Sequence, residues 1–493
     1  MSAKAGLARK ATRGINRVEI VDANFTRFVR DWNEDVRAAD LDARVPGTGL
    51  NGHEFLELVE SQMLSRHLDI EARAMRARNE GFYTIGSSGH EGNALLGRVT
   101  RHTDPAFLHY RSGAFFIERA RQVQGIDPVY DIALSLAASS EDPASGGRHK
   151  AFGSLPLWIP PQTSTIASHL PKAMGAAAAI AQAKRAGCLP VPEDSIVVCS
   201  FGDATTNHAT ALSAFNAAAW TAYRKLPCPI LFVCEDNGLG ISVETPAGWV
   251  EANFSNRPGL HYVKADGLDV ADGYRAVTEA IEYCRRTRAP VFLHFRTVRL
   301  LGHAGTDIDM EYLGAERVAA TEARDPLLFS AETVLELGLA TPDALLERYE
   351  TCRKRVQEAS RRAAKRPRLN TAKKVIAALA PYDASKVKAE AERANFTNAN
   401  QIPEDAPPRH LSIQIDRALA ESMTKYPEAT IFGEDVAEKG GVYTVTSGLR
   451  KRFGGARVFN TLLDETTILG LAQGQALMGL LPIPEIQYLA YLH

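Results

Sequence analysis

Hydrophobic and polar positions divide the chain into stretches of different period. Up to about residue 75 it is polar and then helical, with Phe55, Leu56, Val59, Met63 and Leu64 recurring at helical spacing. From 76 to 325 short apolar runs alternate with helices of small residues, the pattern of a parallel sheet flanked by helices. Ile196 to Phe201 reads as a strand buried on both faces, as parallel strands are. Asn207 to Tyr223, rich in Ala with Leu212, Phe215 and Trp220, reads as a crossover helix, and Pro229 to Cys234 as the next strand. Residues 326–365 are helical and charged. There Thr341-Pro342-Asp343 supplies an N-cap, a first-turn proline and an early acid ahead of Leu345, Tyr349, Cys352 and Val356.

A connector, 366–409, holds Arg366, Arg368, Lys373 and Lys374 and then Pro403, Pro407 and Pro408. Without interleaved aromatics, its basic cluster reads as a solvated helix end running into a linker rather than a nucleic-acid patch. A new α/β pattern begins near His410 and is still running at His493, over fewer residues than the ~100–150 of a usual domain. Glu485 to Tyr488 reads as an interior strand of that pattern. The chain is therefore expected to continue beyond His493, and this form to be a poor catalyst by itself.

Composition narrows the class. At roughly 100–200 residues per domain, the length suggests about three. Hydrophobic content of 45% and charged content of 23% exclude disordered, collagen-like and disulfide-scaffold classes. With 57 Lys and Arg against 58 Asp and Glu, a net charge of −1 makes no case for nucleic acid or a membrane surface. Six cysteines without CxxC spacing read as reduced thiols. No apolar run approaches the ~20 residues of a membrane span. The basic N-terminus (Lys4, Arg9, Lys10, Arg13, Arg17) lacks the apolar core of a secretory signal and reads as a disordered arm. A cytoplasmic protein is expected.

The chemistry concentrates at two strand ends. One strand ends at Gly202-Asp203-Ala204 and the next at Glu235-Asp236-Asn237-Gly238. Right-handed crossover places Asp203 and Asn237 together at the carboxyl edge of one sheet, where open α/β folds bind ligands. A carboxylate and an amide carbonyl are hard oxygen donors suited to Mg²⁺, which completes its shell with phosphate oxygens and water. Gly202 lets backbone N–H groups approach a phosphate, and the following helix offers its N-terminal end.

This pattern resembles the thiamine-diphosphate motif that begins Gly-Asp-Gly and ends Asn-Asn. Ala204 replaces the second Gly and Asp236 the first Asn. The 34-position interval from Asp203 to Asn237 is lengthened around Arg224-Lys225-Leu226-Pro227. More widely, the chain resembles the E1 component of 2-oxoacid dehydrogenase complexes of the branched-chain and pyruvate type. Residues 50–365 correspond to an α-like part and 410–493 to the start of a β-like part, fused in one chain. Gly81-Phe82-Tyr83 and Gly89-His90-Glu91 resemble the loop at the mouth of that family's site. His109-Tyr110-Arg111 resembles its Gln-Tyr-Arg, whose arginine grips the diphosphate. Ser164, Ile166 and Pro171 fall where the family lines its cofactor. Arg299, Gly302 and His303 match a segment that closes over the site, with Ala304 in place of its second His. In the β-like part, Ile431 to Val436 and Gly440 to Tyr443 resemble the opening segment. Phe459 to Gly470 resembles the segment carrying the cofactor-activating glutamate, which is Glu465 by position, ahead of a helix running from Ile468 to Leu481.

The resemblance implies a thiamine-diphosphate-binding α/β fold, a parallel sheet flanked by helices, plus the start of a second similar domain. It implies thiamine diphosphate and Mg²⁺ as cofactors, with the metal on Asp203, Asn237 and Leu239. Cofactor contacts are implied for Tyr110, Arg111, Ser164, Ile166, Gly202, Asp203, Ala204, Asn237, Leu239, His303 and Glu465, and catalytic roles for Glu465, His303 and His109. The implied reaction is oxidative decarboxylation of a 2-oxoacid with acyl transfer to the lipoyl group of an E2 acyltransferase. An oligomer is implied in which Asp203 and Glu465 meet across an interface. Taken singly, Arg111 reads as an ion-pair partner and His303 as a solvated loop residue. Ile166 and Phe201 read as core, and Glu465 as an acid complementing a helix dipole, a role Asp464 could also fill. An acetoin-cleaving or transketolase-like thiamine enzyme, or a catalytically silent Mg²⁺/thiamine-diphosphate-binding protein, shares most of these features.

Overall fold

The computed structural model describes residues 16–392 and 407–493. Lys4, Arg9, Lys10, Arg13 and Pro403 lie outside the described residues. Helix α1 (Arg17–Arg30) begins on Asn16, whose side chain accepts from Val18 N. Arg17 does not belong to a free basic arm: it pairs with Asp309 and Glu322 and donates to the Leu300 carbonyl. Helix α2 (Gly52–Ala77) starts at a capping box in which Asn51 and Glu54 each accept the other's backbone N–H at 2.9 Å. Its predicted apolar positions, Phe55 to Leu64, are buried.

The first sheet contains β1 (Ala106–Phe107), then, after helix α3 (His169–Ala186), β2 (Val197–Gly202). Helix α4 (Ala209–Tyr223) crosses over to β3 (Ile230–Asp236), and β4 (His261–Asp266) and β5 (Val291–Arg296) complete it. All five strands are parallel in the order β1-β2-β3-β5-β4. Strand β2 shows how the sheet fills both sides. Val197, Cys199 and Phe201 pack with α3, α4 and the Phe215–Phe232–Phe292 rings, whereas Val198 faces the core built by α2 and helix α5 (Pro342–Ala364). Helix α5 carries the predicted cap, Thr341 accepting from Ala344 N, with Pro342 in the first turn. Beyond it the basic connector is tied back to this part of the chain. Arg366 pairs with Glu141, and Arg368 donates to the Ala137 and Glu80 carbonyls while lying over the Phe82 ring. The cluster is thus used internally instead of being only a solvated helix end.

The second sheet is smaller. Strands β6 (Ala429–Gly433) and β7 (Val458–Asn460), helix α6 (Glu465–Leu477) and strand β8 (Leu481–Pro484) give the parallel order β7-β6-β8. Two expectations fail here. The helix stops at Leu477 instead of Leu481, because Gly479 turns the backbone at φ +88°. The strand is Leu481–Pro484, and Glu485 to Tyr488 lies beyond it. Leu481 N and Glu485 N donate to Glu428 and Phe432 carbonyls, so Pro482 and Pro484 occupy alternate positions of an edge strand, where no N–H is required. Among the described residues, no helix is long and apolar enough to cross a membrane. The six cysteines are free thiols, all but Cys188 buried.

Candidate active site

The register of the first sheet sets Gly202 opposite Glu235 and Asp236 opposite Arg296, so three strand ends open at one edge. Asp203 follows β2 directly, and Asn237 follows β3. The Asn237 backbone N–H donates to Asp203 Oδ1 at 3.3 Å, which brings the two predicted oxygen donors together. A cavity of about 150 Å³ lies at this edge. It is lined by His109, Tyr110, Arg111, Ile166, Gly202, Asp203, Ala204, Asn237, Leu239 and His303, ten of the residues singled out in the sequence, together with Thr205, Gly240 and Ile241.

Both departures from the sequence motif have partners. Ala204 places its Cβ where a Cβ at position 240 would stand 2.7 Å away, and residue 240 is glycine. Asp236 accepts from Gly238 N at 3.0 Å with one oxygen and meets His294 Nε2 at 2.8 Å with the other, while His294 Nδ1 meets the Tyr262 hydroxyl at 2.7 Å. The long interval is spent in the turn after α4, where Lys225 has φ +57°, away from the ligand edge.

The charges in the cavity are buried and separated by sign. Asp203 is 1% exposed, accepts from the Thr245 hydroxyl, and forms no ion pair among the described residues. Burial, with Asp236 adding to it, pushes its carboxyl up to about 6 against the Thr245 bond. A divalent cation on Asp203 and Asn237 would supply the missing positive charge. Arg111 and Arg299, 3% and 4% exposed, likewise lack a carboxylate partner within ion-pair distance among the described residues. Arg111 donates to the Gly86 carbonyl at 2.6 Å and reaches His303 at 3.3 Å; Arg299 donates to the Ile241 carbonyl and the Tyr312 hydroxyl, both at 2.7 Å. Two buried guanidiniums without counter-charges suit a polyanion. Arg111 is therefore not the surface ion-pair residue it resembles in isolation. His303 is held down to about 4 by burial and by these two arginines, so its imidazole is neutral near pH 7. His109 is buried, held well below its ordinary value by burial and by its neighbours His90 and Arg111, and its Nδ1 has no partner among the described residues.

The remaining predicted residues are placed differently. Ser164 lies beside the Tyr83 hydroxyl and does not line the cavity. Ile166 is not core: it sits 39% exposed in the loop before α3, where Ala167 takes the buried position ahead of buried Leu170 in the first turn of the helix, whereas Phe201 is fully buried. Phe82 is 64% exposed beneath the Arg368 guanidinium and does not line the cavity, and His90 and Glu91 are fully buried, Glu91 against Arg66 at 2.7 Å. Glu465 does not line the cavity. It stands at the first position of α6 with no side-chain hydrogen bond among the described residues, because the capping role is taken by Asp464, which accepts from Thr467 N at 3.1 Å. Glu235 and Thr245 were not among the predicted site residues: Glu235, read only as part of a strand end, lies behind the cavity lining, and Thr245 meets the cavity wall through its bond to Asp203.

The dehydrogenase E1 component family matches residues 60–372, and the transketolase pyrimidine binding domain matches residues 412–493. The 2-oxoisovalerate dehydrogenase subunit alpha of Bacillus subtilis is 27% identical over 303 residues, 60% of this chain and 86% of that one. The mitochondrial 2-oxoisovalerate dehydrogenase subunit alpha of Caenorhabditis elegans is 30% identical over 348 residues, 69% of this chain and 76% of that one. The second part is similar to the 3-methyl-2-oxobutanoate dehydrogenase subunit beta of Mycobacterium tuberculosis, 50% identical over 74 residues. The chain therefore spans most of these two alpha-subunit relatives, but under half of the pyruvate dehydrogenase alpha subunits of Homo sapiens and Dictyostelium discoideum it also matches and 21% of this beta-subunit relative.

Proposed function

Because the chain belongs to the dehydrogenase E1 component family, we propose that it decarboxylates a 2-oxoacid, branched-chain or pyruvate, and passes the acyl unit to a lipoyl group on an E2 acyltransferase. The observation that carries this is the cavity's separated charge: buried Asp203 without a cation at one strand end, buried Arg111 lining the same cavity without a counter-charge, and buried Arg299 bonded to the carbonyl of lining residue Ile241, among the described residues. Asp203 and Asn237, with Leu239, would hold Mg²⁺. Arg111 and Arg299 would hold the diphosphate, with the Gly202 backbone approaching it closely. Bound thiamine diphosphate would supply the electron sink into which the substrate's C–CO₂ bond breaks. Glu465, left free by the Asp464 cap, offers a carboxylate to the aminopyrimidine end. His109 Nδ1, buried and unpartnered, is the atom available to hold or move a proton, and neutral His303 can accept or donate a hydrogen bond toward the substrate carboxylate without adding charge.

The six reduced cysteines accord with a cytoplasmic setting, and a homo-oligomer docked on E2 is the working form we assign. Steady-state reduction of ferricyanide by 2-oxoacids, with and without thiamine diphosphate and Mg²⁺, tests the function. Cofactor-dependent turnover of a branched-chain 2-oxoacid or pyruvate is expected. Turnover with acetoin alone would instead make this an acetoin-cleaving enzyme.

A further inference from the structure

Behind the cavity runs a hydrogen-bonded chain for which the proposed chemistry has no use. Leu239 N donates to Asn237 Oδ1 at 3.1 Å, which fixes the amide so that Nδ2 faces His90 Nε2, also at 3.1 Å. An amide nitrogen only donates, so Nε2 is the unprotonated ring nitrogen and Nδ1 carries the proton. That proton is donated to Glu235 Oε2 at 2.7 Å, and Asn93 Nδ2 donates to the same oxygen at 3.2 Å. His90 and Glu235 are both fully buried, and Glu235 Oε1 has no partner among the described residues. Burying a carboxylate among neutral donors costs free energy that an apolar pair would avoid. What this arrangement secures is a single tautomer and thereby a single amide orientation.

We propose that His90 and Glu235 are positioning residues of the cation site: by accepting the Asn237 Nδ2–H, the pair keeps amide oxygen Oδ1 turned away from the wall and into the cavity, and so sets the affinity for the divalent cation. The inference rests on the reading that Asp203 and Asn237 hold that cation. Outer partners of metal ligands typically govern about 10–100-fold in affinity.

The test is Mn²⁺ binding to the full chain in the presence of thiamine diphosphate, read from the free-ion signal by electron paramagnetic resonance. His90→Leu removes the acceptor and should weaken Mn²⁺ binding by about 10–100-fold. His90→Gln, which keeps one donor for Glu235 and one acceptor for the amide, should restore most of it. Glu235→Gln preserves volume but lets His90 take the other tautomer, setting a ring N–H against the amide N–H, and should weaken binding as His90→Leu does. In an Asn237→Asp background, where the ligand has two equivalent oxygens and no donor, His90→Leu should cost little. An equal loss in both backgrounds would show that His90 merely packs, and would overturn the proposal. If Asp203→Ala leaves Mn²⁺ binding intact, the cation-site reading itself fails. If Asp203→Ala abolishes binding while neither His90→Leu nor Glu235→Gln weakens it, only the positioning role fails. A stoichiometric transition metal retained in Asp203→Ala would mean that His90, His109 and Glu235 are themselves ligands, since their donor atoms lie within 4.8 Å of one another, and would overturn the proposal as well.

Discussion

Asp203 carries a carboxylate into the protein interior with a hydroxyl and a backbone N–H beside it and no cation among the described residues. Its carboxyl, raised to about 6, has two consequences for pH. In the metal-free protein the group favours folding while protonated; that contribution is complete below about 4 and is lost as pH rises through about 6, a swing of roughly 3 kcal/mol. Cation binding runs the other way, because the proton must leave first. Isothermal calorimetry of Mg²⁺ with thiamine diphosphate is expected to show affinity that is flat above pH 6 and falls about tenfold per unit below it. Asp203→Ala is expected to abolish metal-dependent cofactor binding altogether; unchanged affinity would end the assignment. His303 should add nothing to this profile near neutrality, since it protonates only near pH 4. At this scale the sequence motif was informative because a strand end and the next strand end are local features joined by one crossover helix. The His90–Glu235 pair was illegible because 145 positions separate the two residues, and no local pattern marks a hydrogen bond between a loop and an interior strand.

Helix α6 shows two adjacent acids sorted by geometry. Asp464, at φ −168°, is the N-cap, and Glu465 is the first helical residue, its carboxylate making no hydrogen bond among the described residues. Asp464→Ala is expected to cost about 1 kcal/mol in thermal or urea unfolding. Glu465→Gln should leave stability and Mg²⁺ affinity unchanged while slowing deuterium exchange of the C2 proton of bound thiamine diphosphate, followed by NMR. The opposite pair of results would exchange the two roles. The packing of α6 on α3 depends on glycine. A Cβ on Gly474 would stand 2.1 Å from Ala176 N, one on Gly175 2.5 Å from the Gly470 carbonyl, and one on Gly470 2.2 Å from Pro171 Cβ. Gly474→Ala should therefore cost on the order of 1–3 kcal/mol and lower the cooperativity of calorimetric unfolding; a wild-type melting profile would show that the helices can slide apart freely. The apolar run from Ile468 announced a helix but hid its end, because from Ala476 onward small and apolar residues continue through the Gly479 turn into β8. Helix and strand share that composition, and only the chain reversal separates them.

At the level of the whole molecule, the direction of the α3–α6 packing decides where Glu465 goes. Gly470 meets Pro171, Gly474 meets Lys172, Gly175 and Ala176, and Gly479 meets Cys188, so the two helices run in the same sense. Their N-termini therefore lie at the same end of the interface. At that end α3 is preceded by Ile166, which lines the cavity, and α6 begins with Glu465. Within one chain Glu465 thus lies at the end where Ile166 lines the cavity, while the sequence resemblance implies that Asp203 and Glu465 meet between protomers. Mixing chains separates the two arrangements. Co-assembled Asp203→Ala and Glu465→Gln chains have, in every within-chain site, one defect or the other, and are expected to show no more C2 proton exchange of the cofactor than either variant alone. A site shared between protomers would instead regain an intact combination in mixed dimers, with Asp203 and Glu465 contributed by opposite chains. Recovery of exchange on mixing would therefore place the catalytic unit across the oligomer interface, and would show that the α3–α6 contact joins the two parts of the chain without forming the site.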